Sequence, residues 1–116
     1  MTGAPTVSIF TYGTLQLPAV QLEKYGRLLE GSADALTGYS LERLTVSDPE
    51  VLRLSGQADH PIARRSGDAA DRVTGIVYEI SEGELAATDA YEVEPYARVE
   101  VALESGRRAF AYVLAD

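Results

Sequence analysis

The chain has 116 residues and no cysteine, which predicts one domain with a single modest core and excludes disulfide scaffolds, thiol nucleophiles and thiolate metal sites. A formal net charge of −8 argues against a nucleic-acid partner, which a basic stripe would mark; Arg64, Arg65 and Arg72 stand among Asp59, Asp68 and Asp71 and read as a solvated surface of mixed charge. No stretch approaches the length of a membrane span, and Met1 to Pro5 carry neither a basic region nor a long apolar run, so neither membrane insertion nor a secretory signal is expected and a cytoplasmic location is the default.

In chain order, Met1 to Pro5 read as a frayed tail and Thr6 to Phe10 as a buried strand rich in β-branched and aromatic residues. The strand runs into Tyr12-Gly13-Thr14-Leu15. That loop reads two ways: an ordinary strand-to-helix turn in which Gly13 supplies backbone freedom, or a cradle of N–H groups aimed at an anion or a polarised carbonyl oxygen. Pro18 suits the first turn of a helix, and Leu22, Tyr25, Leu28 and Leu29 recur at helical spacing up to a stop at Gly31. Ala33 to Val46 predicts one or two strands with a bend or bulge at Gly38. Asp48-Pro49 reads as a turn, Val51 to Leu54 as a short strand, and Ser55 to Arg72 as a long polar loop with a brief strand around Pro61 to Ala63.

Val73 to Ile80 is the clearest strand, with Thr74, Ile76, Tyr78 and Ile80 expected on the core side and Gly75 marking the close approach of another backbone. Ser81 and Glu84 form a capping-box pattern that opens a helix from about Glu82 to Tyr91, closed by Pro95. Tyr96 to Asp116 predicts a hairpin turning at Ser105-Gly106, with Val99, Val101, Leu103, Phe110, Tyr112 and Leu114 facing inward. Strands that do not alternate strictly with helices predict a mixed α+β fold, a small β-barrel with two short helices, rather than a doubly wound sheet.

With one histidine and no cysteine, zinc and most transition-metal sites are not expected. His60 lies in the polar segment, away from any nucleophile-elbow pattern, and reads as a surface or loop residue. Phosphate-loop and dinucleotide fingerprints are absent. What remains is carboxylates, tyrosines and backbone amides. Asp89 and Glu92 are three apart and share a face of a continuing helix. Glu92, between Tyr91 and Val93 where the helix ends, has the partly apolar company that raises a carboxyl pKa and makes a proton carrier. The alternative is that these acids solvate a helix end and that Arg98 pairs with one of them.

Two stretches together resemble a known family. Ile9-Phe10-Thr11-Tyr12-Gly13-Thr14-Leu15 resembles its N-terminal signature, a strand ending in Tyr-Gly-Thr/Ser-Leu. Gly75-Ile76-Val77-Tyr78, then Asp89-Ala90-Tyr91-Glu92, then Tyr96-Ala97-Arg98 resemble its second block, and His60-Pro61-Ile62 is similar to its Tyr-Pro-Ala/Ile segment. This is the γ-glutamylcyclotransferase-like superfamily, in its avirulence-induced-gene-like and γ-glutamylamine cyclotransferase branch, and the match covers nearly the whole chain as a single domain over residues 1–116. Three positions depart from the family pattern: Thr88 where Leu is commoner, Val93 where Gly is frequent, and His60 where Tyr is common.

The resemblance implies a small barrel-like fold and an activity: a γ-glutamyl amine is cyclised to 5-oxoproline with release of the amine, without metal or cofactor. It implies Glu92 as the general base and then acid, and the amides of Tyr12, Gly13, Thr14 and Leu15 as the cradle for the substrate oxygen. Tyr96 and Arg98 would position or pair carboxylates, Arg98 either holding Glu92 or structuring the hairpin, and Asp89 would be a structural hydrogen-bonding group. A small-molecule γ-glutamyl substrate and a monomer or weak dimer are expected. The rivals are a non-catalytic member that binds a small carboxylate- or amide-bearing ligand or a partner protein, and an enzyme that removes a γ-glutamyl group from a larger product, with the 55–72 segment controlling the mouth of its pocket. A cavity in which Glu92 faces the Tyr12–Leu15 amides would favour catalysis.

Overall fold

The computed structural model describes residues 6–92 and 95–115; the expected N-terminal tail, Val93 and Asp116 lie outside the described residues. Strand β1 (Thr6–Thr11) is followed by a 3-10 turn (Thr14–Gln16), helix α1 (Pro18–Tyr25), strands β2 (Gly31–Thr37) and β3 (Tyr39–Thr45), helix α2 (Pro49–Ser55), strands β4 (Asp59–Arg65) and β5 (Arg72–Ser81), helix α3 (Glu82–Tyr91), and strands β6 (Tyr96–Ala102) and β7 (Arg108–Leu114). The main sheet has five strands in the order β2-β5-β1-β7-β6, and β3 and β4 form a separate two-stranded ribbon. Among the described residues β1 and β7 are the one parallel pair, with Ile9 opposite Phe110 and Phe10 opposite Ala111. The mixed α+β class is as the sequence predicts. Among the described residues the sheet is not closed into a barrel, and there are three α-helices in place of the two expected.

The third helix, α2, stands where the sequence predicts a turn and a strand. Its start is a helix N-terminus in disguise: Asp48 Oδ1 accepts from the N–H groups of Glu50 and Val51, and Pro49 takes the first helical position, where its missing N–H costs nothing. Gly56, with φ 68°, ends it. Helix α1 stops at Tyr25, short of the expected Gly31, because Gly26 adopts the left-handed conformation (φ 70°) and returns its N–H to the carbonyl of Leu22. Gly38 divides β2 from β3. The Ser81–Glu84 capping box opens α3 with both reciprocal hydrogen bonds made.

The segment expected to be a long polar loop contains a full strand. In β4, Arg43 lies opposite Pro61 and Leu44 opposite His60. His60, Ile62 and Ala63 are buried, so both faces of this strand meet the core in its middle, while Asp59 and Arg64 near its two ends are exposed. His60 is therefore 4% exposed, a buried residue and not a surface one.

Strand β5 is buried on both faces, which corrects the expectation of one inner face. Val73 and Val77 join Phe10, Leu36, Ala111 and Val113 beneath the ribbon residues Tyr39 and Ala63. Tyr78 and Ile80 join Ile9 on the opposite face, where Leu29 and Leu85 cover them. The hairpin is divided in the same way. Val101, Leu103, Ala109, Ala111 and Val113 line the ribbon side, while Tyr112 packs with Leu15, Val20 and Tyr91 under the helices. A strand hydrogen-bonded on both edges and partly covered on both faces shows no single polar side; its exposed residues are Arg72, Thr74, expected on the core side, and Glu79. Gly75 has a clear physical reason: a Cβ there would sit 2.1 Å from the Thr11 carbonyl oxygen.

This packing fixes the site. Strand β1 lies in the middle of the sheet, so the loop after Thr11 emerges between the C-terminal end of α3 and strand β4.

Candidate active site

The loop from Tyr12 to Leu15 leaves β1, tightens into the 3-10 turn and hands over to α1 at Pro18. Buried glutamine and hydroxyl groups hold it in shape. Gln16 Nε2 donates to the Thr11 carbonyl at 2.9 Å. Gln21, 3% exposed, donates to the Leu15 carbonyl at 2.9 Å and accepts from the Leu29 N–H at 3.0 Å. Thr14 Oγ1 and the Tyr91 hydroxyl share a hydrogen bond of 2.8 Å, which ties the loop to the last turn of α3. Gly13 packs under Pro61, and a Cβ at Gly13 would meet the proline Cγ at 3.2 Å.

The carbonyls of Gly13 and Thr14 accept from Gln16 and Leu17. Among the described residues no acceptor takes the N–H of Gly13, Thr14 or Leu15. Thr14 and Leu15 are buried, and Gly13, Thr14 and Leu15 all line the adjoining cleft. Such orphan donors at the start of a helical turn suit an oxygen with negative or partial negative charge.

The cleft is narrow and is lined by Phe10 to Leu15, His60, Pro61, Glu92, Tyr96 and Tyr112. Of the residues named from the sequence, it brings together Glu92, Tyr12, Gly13, Thr14, Leu15 and Tyr96, and leaves Arg98 outside. Glu92 is the residue on which α3 ends: its N–H closes the helix onto the Thr88 carbonyl at 3.0 Å, and its φ and ψ of −76° and 115° turn the chain away from the axis. Among the described residues no cation and no hydrogen-bond donor meets its carboxyl. Desolvation pushes its pKa up from 4.5 to about 8. The partial negative charge at the C-terminal end of α3 acts in the same direction.

The tyrosines form the walls with their hydroxyls engaged elsewhere. Tyr12 donates to the Tyr112 carbonyl at 2.6 Å and accepts from the Ala63 N–H at 2.9 Å, tying β1 to the ribbon. Tyr96 donates to the Pro61 carbonyl at 2.5 Å, and Tyr112 donates to Asp89 Oδ1 at 2.6 Å. Burial pushes the pKa values of Tyr12, Tyr96 and Tyr112 far up, and the neighbouring Glu92 carboxylate adds to the rise in each. These hydroxyls remain protonated and serve as walls and struts.

Arg98 does not hold Glu92. Its Nε lies 3.2 Å from Asp89 Oδ1, and its guanidinium stacks 4.9 Å over the Phe110 ring. The two carboxylates of the Asp-x-x-Glu pattern thus have different surroundings: Asp89 is bonded by a tyrosine hydroxyl and paired with an arginine, whereas among the described residues neither kind of group bonds to the Glu92 carboxyl. The sequence reading missed Gln16, Gln21 and His60 as parts of the site. Gln21, buried, and Gln16, half-buried, leave no periodic signal, and His60 would have needed the β4 register to be read correctly. Among the described residues no cluster of three metal-ligating side chains occurs, and no helix is long and apolar enough to cross a membrane.

Solved structures share this fold at low identity. A solution structure from Arabidopsis thaliana superposes with a TM-score of 0.72 at 23% identity, over 99% of this chain and 74% of that one. A second from Arabidopsis thaliana gives a TM-score of 0.66 at 22% identity, and this chain, 98% covered, spans 65% of it. A structure described as gamma-glutamyl cyclotransferase gives 0.69 at 14% identity, over 97% of this chain and 68% of that one. No curated protein matches the sequence. The family described as "Gamma-glutamyl cyclotransferase, AIG2-like" matches residues 9–116, and the chain belongs to that family.

Proposed function

We propose that the protein converts a γ-glutamyl amine, or a related γ-glutamyl conjugate, to 5-oxoproline and the free amine. Membership of the family supports chemistry of the cyclotransferase type. The observation that carries the finer reading is the pairing of Glu92, desolvated and without a cation, with the unpartnered amides of Gly13, Thr14 and Leu15 across one cleft.

The chemistry follows from those two features. The substrate brings its own nucleophile, the α-amine, so no serine or cysteine is required. Binding the glutamyl chain folded brings the amine to the γ-carbonyl and contributes the proximity advantage of a five-membered ring closure. Glu92, as carboxylate, takes the proton of the amine as the new C–N bond forms. The γ-oxygen gains negative charge and is met by the amide cradle, whose donors strengthen as that charge develops. Glu92 then passes its proton to the departing nitrogen as the original C–N bond breaks, which returns the carboxylate for the next cycle. A group whose pKa is about 8 exchanges protons in both directions near neutral pH, as this double role demands.

The test is release of 5-oxoproline from a panel of γ-glutamyl amines and γ-glutamyl dipeptides. At least one member is expected to be turned over, and Glu92→Gln is expected to abolish turnover while the far-ultraviolet circular dichroism stays unchanged. Full activity in Glu92→Gln would show the mechanism to be wrong.

A further inference from the structure

The one histidine of the chain has a hydrogen-bonding group that the fold does not use. His60 is 4% exposed and lines the cleft beside Pro61. Its Nε2 lies 3.0 Å from the Gln57 carbonyl oxygen and 3.2 Å from Ser55 Oγ. A carbonyl only accepts, so Nε2 carries the hydrogen and, in the neutral ring, Nδ1 is left as an acceptor lone pair. No described residue donates to Nδ1, and no buried side-chain polar atom among the described residues lacks a partner. Nδ1 therefore reaches open space, and the space that His60 borders is the cleft.

We propose that His60 is a substrate-binding residue whose Nδ1 accepts a hydrogen bond from an N–H of the γ-glutamyl substrate. The inference rests on the γ-glutamyl reading above and adds a second pole to it. One wall of the cleft presents donors, the amides of Gly13 to Leu15, which suit the oxygens of a γ-glutamyl group. The wall made by β4 presents an acceptor, which suits its nitrogens. Ser55 and Gln57 fix the ring through Nε2, so the acceptor is held in place before substrate arrives and loses no rotamer freedom on binding.

Two substitutions separate the roles of the two ring nitrogens. In His60→Gln the side-chain amide extends to the Nε2 position and keeps a donor for Gln57, but places nothing at Nδ1. In His60→Asn the carbonyl oxygen sits near the Nδ1 position and the contact with Gln57 is lost. His60→Gln is expected to keep its urea midpoint and raise KM about fivefold to tenfold, the loss of one hydrogen bond, with kcat changed less than about twofold. His60→Asn is expected to unfold at lower urea while holding KM within about twofold. A wild-type KM in His60→Gln, or equal KM increases in both variants, would overturn the proposal.

A second measurement needs no substitution at His60. In Glu92→Gln, which binds without turnover, the single imidazole gives one pair of ring ¹⁵N signals. The Nδ1 signal is expected to be that of an unprotonated nitrogen and to move upfield on saturation with γ-glutamyl methylamide. A protonated Nδ1, or a signal unmoved at saturation, overturns the role of His60 even if the native enzyme releases 5-oxoproline. A shift on binding with no 5-oxoproline from the native enzyme overturns the reaction and leaves the role of His60 standing. No binding at all overturns both.

Discussion

The desolvated carboxyl of Glu92 makes the site destabilising, and the cost has a definite pH signature. A rise in pKa from 4.5 to about 8, at about 1.36 kcal/mol per unit, separates the ionised from the neutral state by about 5 kcal/mol. The folded chain holds this proton more tightly than the unfolded chain. Below the unfolded pKa both states are protonated and there is no penalty. As pH rises through the window from 4.5 to about 8, the unfolded chain loses its proton first, and folding weakens by about 1.4 kcal/mol per unit. Above the folded pKa the penalty is constant. Glutamine at position 92 fills the same space without a charge, so the stability of Glu92→Gln minus that of the native protein should be flat at low pH, climb through the window and level off. The figure of about 5 kcal/mol is a ceiling, because water entering the mouth of the cleft would solvate the carboxylate in part. Urea unfolding of both proteins at about pH 4, 6 and 9 measures the difference directly, and the other titrating groups cancel between the two. A difference that stays flat, or falls as pH rises, would refute the claim that Glu92 is desolvated and unpaired.

The proposed mechanism also predicts a rate profile. If Glu92 takes the first proton it must be ionised, so kcat/KM should rise about tenfold per pH unit below the pKa and flatten above it, with the break at about pH 8; initial rates across pH locate that break, and one near pH 4 would mean a solvated base. Gly75→Ala should abolish soluble expression or cost more than about 3 kcal/mol, because its Cβ would stand 2.1 Å from the Thr11 carbonyl oxygen and neither backbone can retreat within the sheet. Thermal melting reads that loss, and a native-like melting temperature would show that β1 and β5 tolerate separation.

Where a residue's role depends on its immediate neighbours, the sequence was readable. Ser81 and Glu84 announce the start of α3 by a spacing that only a helix N-terminus uses, and Gly75 announces a close approach that β1 makes real. The loop from Tyr12 to Leu15 and Glu92 were recognisable as two motifs. That they share a cleft follows from β1 lying between β5 and β7, a long-range pairing that no local pattern encodes. The errors have the same origin. Asp48-Pro49 begins a turn and a helix with identical chemistry, and the helix is the form that buries Val51 and Leu54 in one cluster with Val20 and Tyr91. His60 sits amid polar residues, so composition marks it as exposed, whereas pairing with Leu44 carries it inside.

Arg98 shows why the identity of a neighbour matters less than its direction. In sequence it is the nearest cation beyond Glu92, and a salt bridge between them would look natural. Such a bridge would favour the ionised carboxyl and bring its pKa down toward the ordinary carboxylate range, where it would hold a proton too weakly to deliver one to a departing amine. The fold prevents this by giving Arg98 other partners: the carboxylate of Asp89, three residues before Glu92, and the face of Phe110. Tyr112 completes the arrangement by donating to Asp89 from the cleft wall, so the acid that is neutralised and the acid left bare stand on the same helix end with opposite surroundings. Two carboxylates whose environments differ this way are suited to different work, in the proposed mechanism structure for Asp89 and proton transfer for Glu92. In the proposed mechanism the pattern Asp89-x-x-Glu92 would then act as one device, Asp89 pairing with Arg98 while Glu92 stays free to exchange a proton.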